Sequence, residues 1–195
     1  MLNLETVVGV CGAGAMGAGI AQVAAQAGHR VIVLDQDDAA LGRGRDGIAQ
    51  GLAGQVKRGK LTEAESAAIQ QRLSWTTDVA HLKPCGLVIE AIVENPAIKT
   101  KLFQALEAVA GADAVLATNT SSLSVTELAK GLARPVQFLG LHFFNPAPVM
   151  KLVEVISGAQ TDPKIAAESF ALMQSWGKLA ASARDVPGFI VNRVA

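Results

Sequence analysis

Continuous runs of apolar residues alternate along the chain with longer segments whose apolar residues recur at helical spacing. An uninterrupted apolar run is typical of a strand that is buried on both faces of a parallel sheet. The runs predict strands at Thr6–Cys11, Arg30–Leu34, Leu87–Val93, Ala114–Ala117, Val136–Phe144, Lys151–Ile156 and Lys178–Ala183. The periodic segments predict helices at Ala18–Ala27, Asp37–Arg58, Thr62–Leu73, Ala97–Ala110, Ser124–Gly131 and Asp162–Trp176. The alternation predicts an α/β fold that is doubly wound around a mostly parallel sheet.

Two of the apolar runs, Val136–Phe144 and Lys151–Ile156, lie close together in the sequence. The segment between them contains Pro146 and Pro148, and proline cannot donate a hydrogen bond to a sheet ladder. The prolines therefore predict a connection. It is too short for a parallel crossover, so we expect the two strands to be antiparallel neighbours.

His142 and Glu154 occupy symmetric positions about this connection, because each lies six residues from position 148. They are therefore expected to face each other across the strand pair, on one side of the sheet. A carboxylate beside a histidine fixes the tautomer of the ring and stabilises the protonated imidazole, as a general base requires. The same pattern is compatible with a structural contact at a sheet edge.

A glycine-rich turn follows the first predicted strand and leads into a helix that ends at Gly28. Its sequence matches the pattern G-x-G-x-x-G. Glycines allow the backbone to turn tightly and to approach a pyrophosphate that is held at the helix N-terminus. The predicted cofactor contacts in this turn are Gly12, Gly14, Ala15, Met16 and Gly17.

Asp35 ends the second predicted strand and lies 23 residues after Gly12. A carboxylate at this position accepts hydrogen bonds from the adenosine ribose in dinucleotide-binding folds. Gln36 follows, with no arginine nearby, and this favours NAD over NADP because a carboxylate repels a 2′-phosphate. The complete unit predicts a Rossmann-type NAD site. The alternative is a glycine-rich turn that only packs a helix against the sheet.

The pattern next predicts a helical hairpin that is inserted between sheet strands. Thr62 and Glu65 form a capping box that begins its second helix. Three basic residues lie at the hairpin tip, Lys57, Arg58 and Lys60. They are candidates to bind a phosphate-bearing substrate, and the alternative is an ordinary solvated tip.

Polar residues follow two further strands. Glu94 and Lys99 lie at the mouth of a strand–helix unit, where ligands of parallel sheets bind, so they are candidate cofactor contacts or else a surface ion pair. Residues 118–122, Thr-Asn-Thr-Ser-Ser, are mostly of the types that favour turns. They follow the carboxyl end of a predicted strand, however, and this position predicts that at least one of them contacts a ligand. Ser124 and Glu127 predict a second capping box.

The chain has 195 residues, with 17 basic and 17 acidic side chains. It lacks the basic excess of a nucleic-acid-binding protein, and no apolar run approaches the ~18 residues of a membrane span. Cys11 and Cys85 lack the C-x-x-C spacing of metal ligands and fit a reducing compartment. We therefore expect a cytoplasmic protein without a metal site, a nucleic-acid partner or a membrane partner.

Pro187 and Gly188 precede a last apolar stretch and predict a linker that enters a new helix. We expect residues 1–186 to form the dinucleotide-binding domain. Residues 187–195 are interpreted as a linker and the start of a truncated C-terminal helical domain.

Five segments spread over essentially the whole chain carry a family resemblance. They are Gly-Ala-Gly-Ala-Met-Gly-Ala-Gly-Ile-Ala-Gln (12–22), Val-Ile-Glu-Ala-Ile-Val-Glu-Asn (88–95), Ala-Thr-Asn-Thr-Ser-Ser-Leu (117–123), Gly-Leu-His-Phe-Phe-Asn-Pro-Ala-Pro-Val-Met-Lys-Leu-Val-Glu-Val (140–155) and Pro-Gly-Phe-Ile-Val-Asn-Arg (187–193). The glycine motif is common to many dehydrogenases, whereas the segments that contain His-Phe-Phe-Asn-Pro and Pro-Gly-Phe-Ile-Val-Asn-Arg are far more specific. Together they resemble the NAD-binding domain of L-3-hydroxyacyl-CoA dehydrogenases.

The resemblance implies oxidation of the 3-hydroxyl of a coenzyme A thioester to a ketone, with hydride transfer to NAD. It implies that His142 is the catalytic base and Glu154 its partner, and that Ser121 and Asn192 hold the reacting oxygen and neighbouring groups. The implied cofactor contacts are Asp35, Glu94, Lys99 and Asn145. The implied substrate contacts are Ser121 and, for the coenzyme A phosphates, Lys57, Arg58 and Lys60. Gly51 departs from the family, because a polar contact is expected at its position.

Members of this family carry a further helical domain that dimerises and closes the substrate cleft. We therefore expect the full-length protein to be a homodimer and this fragment to be weakly active or inactive. The default substrate is 3-hydroxybutyryl-CoA, but the sequence also resembles enzymes of aromatic-acid breakdown that act on 3-hydroxyadipyl-CoA. Two other functions remain open, a non-catalytic NAD- or acyl-CoA-binding module and a β-hydroxyacid dehydrogenase that acts on free acids.

Overall fold

The structure is a computed structural model and describes residues 1–191. The strands are β1 (Val8–Cys11), β2 (Val31–Leu34), β3 (Leu73–Thr76), β4 (Leu87–Glu90), β5 (Val115–Thr118), β6 (Phe138–Phe143), β7 (Leu152–Ser157) and β8 (Leu179–Arg184). The α-helices are α1 (Ala15–Gln26), α2 (Asp38–Lys57), α3 (Glu63–Gln71), α4 (Pro96–Val109), α5 (Val125–Ala129) and α6 (Pro163–Ser175). Short 3₁₀ turns cover Val79–Leu82 and Pro135–Gln137.

The eight strands form one sheet in the order β3-β2-β1-β4-β5-β6-β7-β8. All neighbours are parallel except β6 and β7, which are antiparallel. The predicted fold class is therefore confirmed. Because β1 pairs with both β2 and β4, the chain reverses its direction of winding at β1, and crevices at such a switch point bind ligands.

Apolar side chains of the central strands alternate between two cores, one on each face of the sheet. In β4, Leu87 and Ile89 belong to the core that includes α1, whereas Val88 belongs to the core that includes Phe103 of α4. Burial on both faces explains why the central strands appear in the sequence as continuous apolar runs. Among the described residues, no helix is both long and apolar enough to cross a membrane.

The sequence prediction missed strand β3. Helix α3 ends at Gln71 with Arg72 as its C-cap, and the chain then enters β3 beside β2, instead of continuing as a helix to Leu73. This strand lies at the edge of the sheet and is only half buried. Its four residues therefore lack the apolar run that marks the central strands.

Of the two predicted capping boxes, the one at Thr62 is complete, with Thr62 and Glu65 bonding reciprocally. At α5 the Ser124 hydroxyl accepts from the Glu127 backbone, but the Glu127 carboxylate pairs with Lys130. The carboxylate that supports this helix start comes from Asp185, beyond the end of β8. Partial burial raises the Asp185 pKa, but hydrogen bonds from α5 hold it below its usual value overall.

Candidate functional site

His142 on β6 and Glu154 on β7 are directly opposite in the antiparallel register, as the sequence predicted. The Nδ1 atom of His142 lies 2.7 Å from Oε2 of Glu154, and these side chains are only 7% and 1% exposed. Because an ionised carboxylate can only accept, Nδ1 carries the proton in this pair. The Nε2 atom of the neutral ring is then available as a proton acceptor.

The second carboxylate oxygen of Glu154 has two backbone partners. The N–H groups of Ile190 and Val191 each donate to Oε1 at 2.9 Å. These bonds satisfy a carboxylate that burial would otherwise destabilise. On the ring side, His142 packs against Phe144 and Phe189, with centroid distances of 4.5 and 5.9 Å. The histidine is therefore held at both its nitrogen and its faces.

His142 lines a cavity of about 450 Å³ at the carboxyl end of the sheet. This cavity brings together six of the residues predicted for catalysis or cofactor binding, Met16, Glu94, Lys99, Ser121, His142 and Asn145. They come from α1, the β4–α4 connection, α4, the β5–α5 connection, β6 and the β6–β7 connection, which the sheet brings together at one edge. Lys178 holds the loop that carries Asn145, because its ammonium donates to the carbonyls of Ala147 and Met150 at 2.6 and 2.8 Å.

Lys99 lies in an ionic network with the buried Glu90 and the partly exposed Glu94, rather than in a simple surface ion pair with Glu94. Lys99 is 1% exposed, and its ammonium lies 2.5 Å from Glu90 and 3.2 Å from Glu94. Glu94 also accepts from the Thr120 hydroxyl and from the backbone N–H of Ser121. Partial burial raises the pKa of Glu94, but the Thr120 bond and the Lys99 charge lower it overall, so the carboxylate stays ionised.

Asn119 also lines this cavity, although the sequence marked only the polar run around it. Its side-chain oxygen accepts from the backbone of Phe143 at 2.8 Å, and its backbone donates to Glu90 at 2.8 Å. Asn119 therefore ties the end of β5 to the strand that carries His142. A position inside the run Thr-Asn-Thr-Ser-Ser was the only available signal for this role.

A second cavity, of about 700 Å³, lies at the carboxyl ends of β1, β2 and β4. Gly12, Gly14 and Asp35 line it, and it shares Ala91 and Ile92 with the His142 cavity. The two cavities therefore form one groove along the carboxyl ends of the strands. Asp35 accepts from the backbone of Ala13 at 2.8 Å, which fixes the carboxylate beside the glycine turn.

Each of the three motif glycines is favoured at its position for a different physical reason. Gly12 has φ +104°, and an added Cβ would lie 2.6 Å from the Ala91 carbonyl oxygen. A Cβ on Gly17 would lie 1.8 Å from the Gly12 oxygen, so this glycine lets α1 pack on the turn. A Cβ on Gly14 would meet no atom within 4 Å and would project into open space of the groove. This open approach at a helix N-terminus fits a pyrophosphate.

The remaining predicted residues lie elsewhere or outside the described part. Lys57, Arg58 and Lys60 are exposed at the hairpin tip and are not among the residues that line the groove. Ala15 lines a smaller cavity of about 380 Å³ between α1 and α2. Asn192 lies outside the described residues.

The two cysteines are free and buried, and burial raises the pKa of Cys11 and raises that of Cys85 to about 12. Neither thiol is therefore a nucleophile at neutral pH. Across residues 1–191, no group of three or more His, Cys, Asp or Glu side chains is placed to hold a metal ion.

The groove, the glycine turn and Asp35 together indicate a dinucleotide site, and a family comparison identifies it. The model of the 3-hydroxyacyl-CoA dehydrogenase NAD-binding domain matches residues 7–186. The chain belongs to the 3-hydroxyacyl-CoA dehydrogenase family. Its cofactor is NAD, and the residues that line the groove fit that cofactor.

Named relatives support this family assignment. The chain is 47% identical over 195 residues to the 3-hydroxyadipyl-CoA dehydrogenase of Escherichia coli (strain K12), covering 100% of this chain and 41% of the relative. It is 46% identical over 186 residues to a probable 3-hydroxybutyryl-CoA dehydrogenase of Deinococcus radiodurans, covering 95% of this chain and 66% of the relative. The chain thus spans less than two thirds of the length of these relatives.

Solved structures of relatives have the same fold. A crystal structure of 3-hydroxybutyryl-CoA dehydrogenase from Escherichia coli K12 superposes with a TM-score of 0.96 at 47% identity, covering 100% of this chain and 41% of that one. The (S)-3-hydroxybutyryl-CoA dehydrogenase from Ralstonia eutropha gives a TM-score of 0.95 at 42% identity, covering 97% of this chain and 67% of that one.

Proposed function

We propose that the protein carrying this chain oxidises the 3-hydroxyl of an L-3-hydroxyacyl-CoA to a ketone, with hydride transfer to NAD⁺. The observation that carries this proposal is that the buried His142–Glu154 pair opens into the same groove as the NAD site. Proton removal and hydride removal concern one carbinol group, so the two sites must be adjacent. The names of the relatives support the substrate class.

In this proposal Nε2 of His142 accepts the proton of the substrate hydroxyl. Glu154 holds the proton on Nδ1 and stabilises the imidazolium that forms. The two backbone N–H groups on the other oxygen of Glu154 hydrogen-bond this carboxylate and hold it toward the ring. When bound, NAD⁺ supplies the hydride acceptor.

Other residues of the chain orient the reactants. Ser121 lines the cavity wall, and from the family resemblance we assign it and Asn192 to hydrogen bonding with the developing carbonyl oxygen. Asn145 and the Glu94–Lys99 pair line the part of the groove next to His142, so we assign them to the cofactor.

The substrate assignment rests on charge and on the relatives. We propose that Lys57, Arg58 and Lys60 attract the coenzyme A phosphates, because all three are exposed cations at the tip of the α2–α3 hairpin. Relatives are named for 3-hydroxyadipyl-CoA and for 3-hydroxybutyryl-CoA, so both acyl groups belong in the test. Roles in β-oxidation or aromatic-acid degradation, a cytoplasmic location and a homodimer complete the proposal.

The test is the reduction of acetoacetyl-CoA by NADH in the full-length protein, which is monitored as the loss of NADH absorbance. We expect His142→Gln to lower kcat by about 10²–10⁴-fold, the usual contribution of a general base, while NADH affinity is retained. Glu154→Gln keeps the size of the side chain and is expected to lower kcat in the same range. His81→Gln is the matched control, because His81 is exposed and lines neither part of the groove.

Three results would contradict this proposal. Wild-type protein that binds NADH but reduces no acyl-CoA would indicate a non-catalytic binding module. Equal activity on free 3-hydroxybutyrate and on its coenzyme A thioester would indicate a free-acid dehydrogenase. Full activity of His142→Gln would show that another group accepts the proton. A panel with 3-hydroxybutyryl-CoA and 3-hydroxyadipyl-CoA then assigns the acyl group.

A further inference from the structure

Three side chains form what we call the acidic cluster, Glu90, Glu94 and Lys99. Glu90 is completely buried at the end of β4 and accepts from the Ile92 backbone at 2.7 Å and from the Thr118 hydroxyl at 2.8 Å. Its third partner is Lys99, which also contacts Glu94. Two carboxylates therefore share one ammonium, and the cluster has a formal charge of −1.

The groove near His142 contains a further carboxylate, Glu154, whose partners are the neutral imidazole and two backbone N–H groups. The positive end of α4 offsets part of this charge, since a helix N-terminus is equivalent to roughly +0.5 of a charge. The hydroxyl and amide partners of the cluster are neutral. This part of the groove therefore retains negative charge, and the burial of Glu90 and Glu154 protects their charges from screening by salt.

The two forms of the cofactor differ in charge at the ring that reacts. The nicotinamide ring is formally +1 in NAD⁺ and neutral in NADH, whereas the remainder of the molecule is unchanged. Under the function proposed above, His142 accepts the proton of the hydroxyl on the carbon that loses hydride, so the nicotinamide ring must lie in the His142 part of the groove. Glu94 and Lys99 line the same part.

We propose that the acidic cluster sets the preference of this site for NAD⁺ over NADH, with Glu90 as a specificity-determining residue that never touches the cofactor. Oxidised cofactor binds against a residual negative charge, and reduced cofactor gains nothing from it. After hydride transfer the positive charge resides on His142, so the negative charge of the groove also stabilises the imidazolium of the His142–Glu154 pair. Catalysis therefore moves the charge within the groove rather than out of it.

Glu90→Gln tests this idea with little change in hydrogen bonding. The amide oxygen can keep the Ile92 and Lys99 partners of Oε1, and the amide nitrogen can donate to the Thr118 hydroxyl, which rotates. The double variant Glu90→Gln with Lys99→Met restores the formal charge of −1. The control pair is Glu127→Gln and Lys130→Met, an exposed ion pair on α5.

The assay is calorimetric titration of the 195-residue chain with NAD⁺ and with NADH, separately, together with circular dichroism to check folding. In Glu90→Gln we expect the ratio Kd(NAD⁺)/Kd(NADH) to rise about three- to tenfold over wild type. In the double variant the loss of Lys99 weakens the binding of both nucleotides, but their ratio should return to within about twofold of wild type, and the controls should not change it. If Glu90→Gln does not fold, Glu94→Gln, which is 37% exposed, must give the same direction of change.

The outcomes separate this inference from the proposed function. Equal weakening of both nucleotides in Glu90→Gln, with an unchanged ratio, would overturn the inference and leave only a structural role for the cluster. A double variant that shifts the ratio further would also overturn it. A wild-type chain that binds neither nucleotide would overturn the cofactor site itself. Absence of acyl-CoA turnover in the full-length wild-type protein, with the predicted Kd ratios intact, would contradict only the proposed function.

Discussion

Alanine substitutions at Gly14 and Gly17 should separate cofactor binding from folding within one turn of backbone. Gly14 has φ −70° and ψ −174°, an extended conformation that alanine also adopts, and its added Cβ meets no atom within 4 Å. We expect Gly14→Ala to change the free energy of unfolding by less than about 1 kcal/mol. The methyl group would occupy the space through which a pyrophosphate approaches, so NADH affinity should fall at least about tenfold, or 1.4 kcal/mol.

Gly17→Ala should have the opposite profile. Its Cβ would lie 1.8 Å from the Gly12 carbonyl oxygen, so α1 must move away from the turn. Overpacking of this kind costs about 1–3 kcal/mol, and a contact with rigid backbone belongs at or above the upper end. This is a large part of the roughly 5–15 kcal/mol that stabilises a typical domain.

Urea unfolding followed by circular dichroism measures the stability of these variants, and fluorescence titration with NADH measures affinity. Gly42→Ala on α2 is the matched control, because its Cβ also meets no atom within 4 Å and it lines neither part of the groove. It should stabilise the helix by roughly 0.5–1 kcal/mol and leave affinity unchanged. Undiminished NADH binding by Gly14→Ala would refute the pyrophosphate placement. A Gly17→Ala variant as stable as wild type would refute the close approach of α1.

Two further predictions concern two buried basic residues, Lys178 and His29. Lys178→Met removes the ammonium that donates to two loop carbonyls and should destabilise the fold by about 2 kcal/mol. NADH binding should also weaken, because the same loop carries Asn145. The exposed Lys164→Met should change neither property, and an unchanged urea midpoint in Lys178→Met would contradict this prediction. Burial lowers the pKa of His29, whose ring accepts a hydrogen bond from the Trp176 indole at 2.8 Å. As the pH drops below 6.5, the unfolded chain therefore takes up a proton at this histidine before the folded chain does. The stability of the fold should fall over this range, down to the lowered pKa. Unfolding midpoints at pH 7.5 and 5.0 should differ less in His29→Gln than in wild type, and parallel losses would show that other groups cause the acid sensitivity.

The features that the sequence predicted well are those that local geometry determines. The register of His142 and Glu154 follows from their equal spacing about Pro148, because a short connection forces two strands to pair from their ends outward. The NAD turn could be predicted because strand, glycines, helix and Asp35 lie within one continuous unit. Each of these predictions needed only neighbours along the chain.

The features that could not be predicted depend on packing between distant segments. Nothing in the sequence near Glu90 announces that Lys99 folds back onto it, because the contact forms only when α4 returns over β4. Asp185 reaches the start of α5 across about 60 residues of chain. Lys178 likewise had no local signal, since the carbonyls that it holds belong to a loop some 30 residues earlier.

The two backbone hydrogen bonds to Oε1 of Glu154 connect the His142–Glu154 pair to the chain at Ile190 and Val191. The same carboxylate orients His142 with one oxygen and grips the chain at Ile190 and Val191 with the other. Any swing of the backbone at that point must break those bonds or drag the carboxylate with it. The orientation of His142 is therefore coupled to the position of the backbone at Ile190 and Val191.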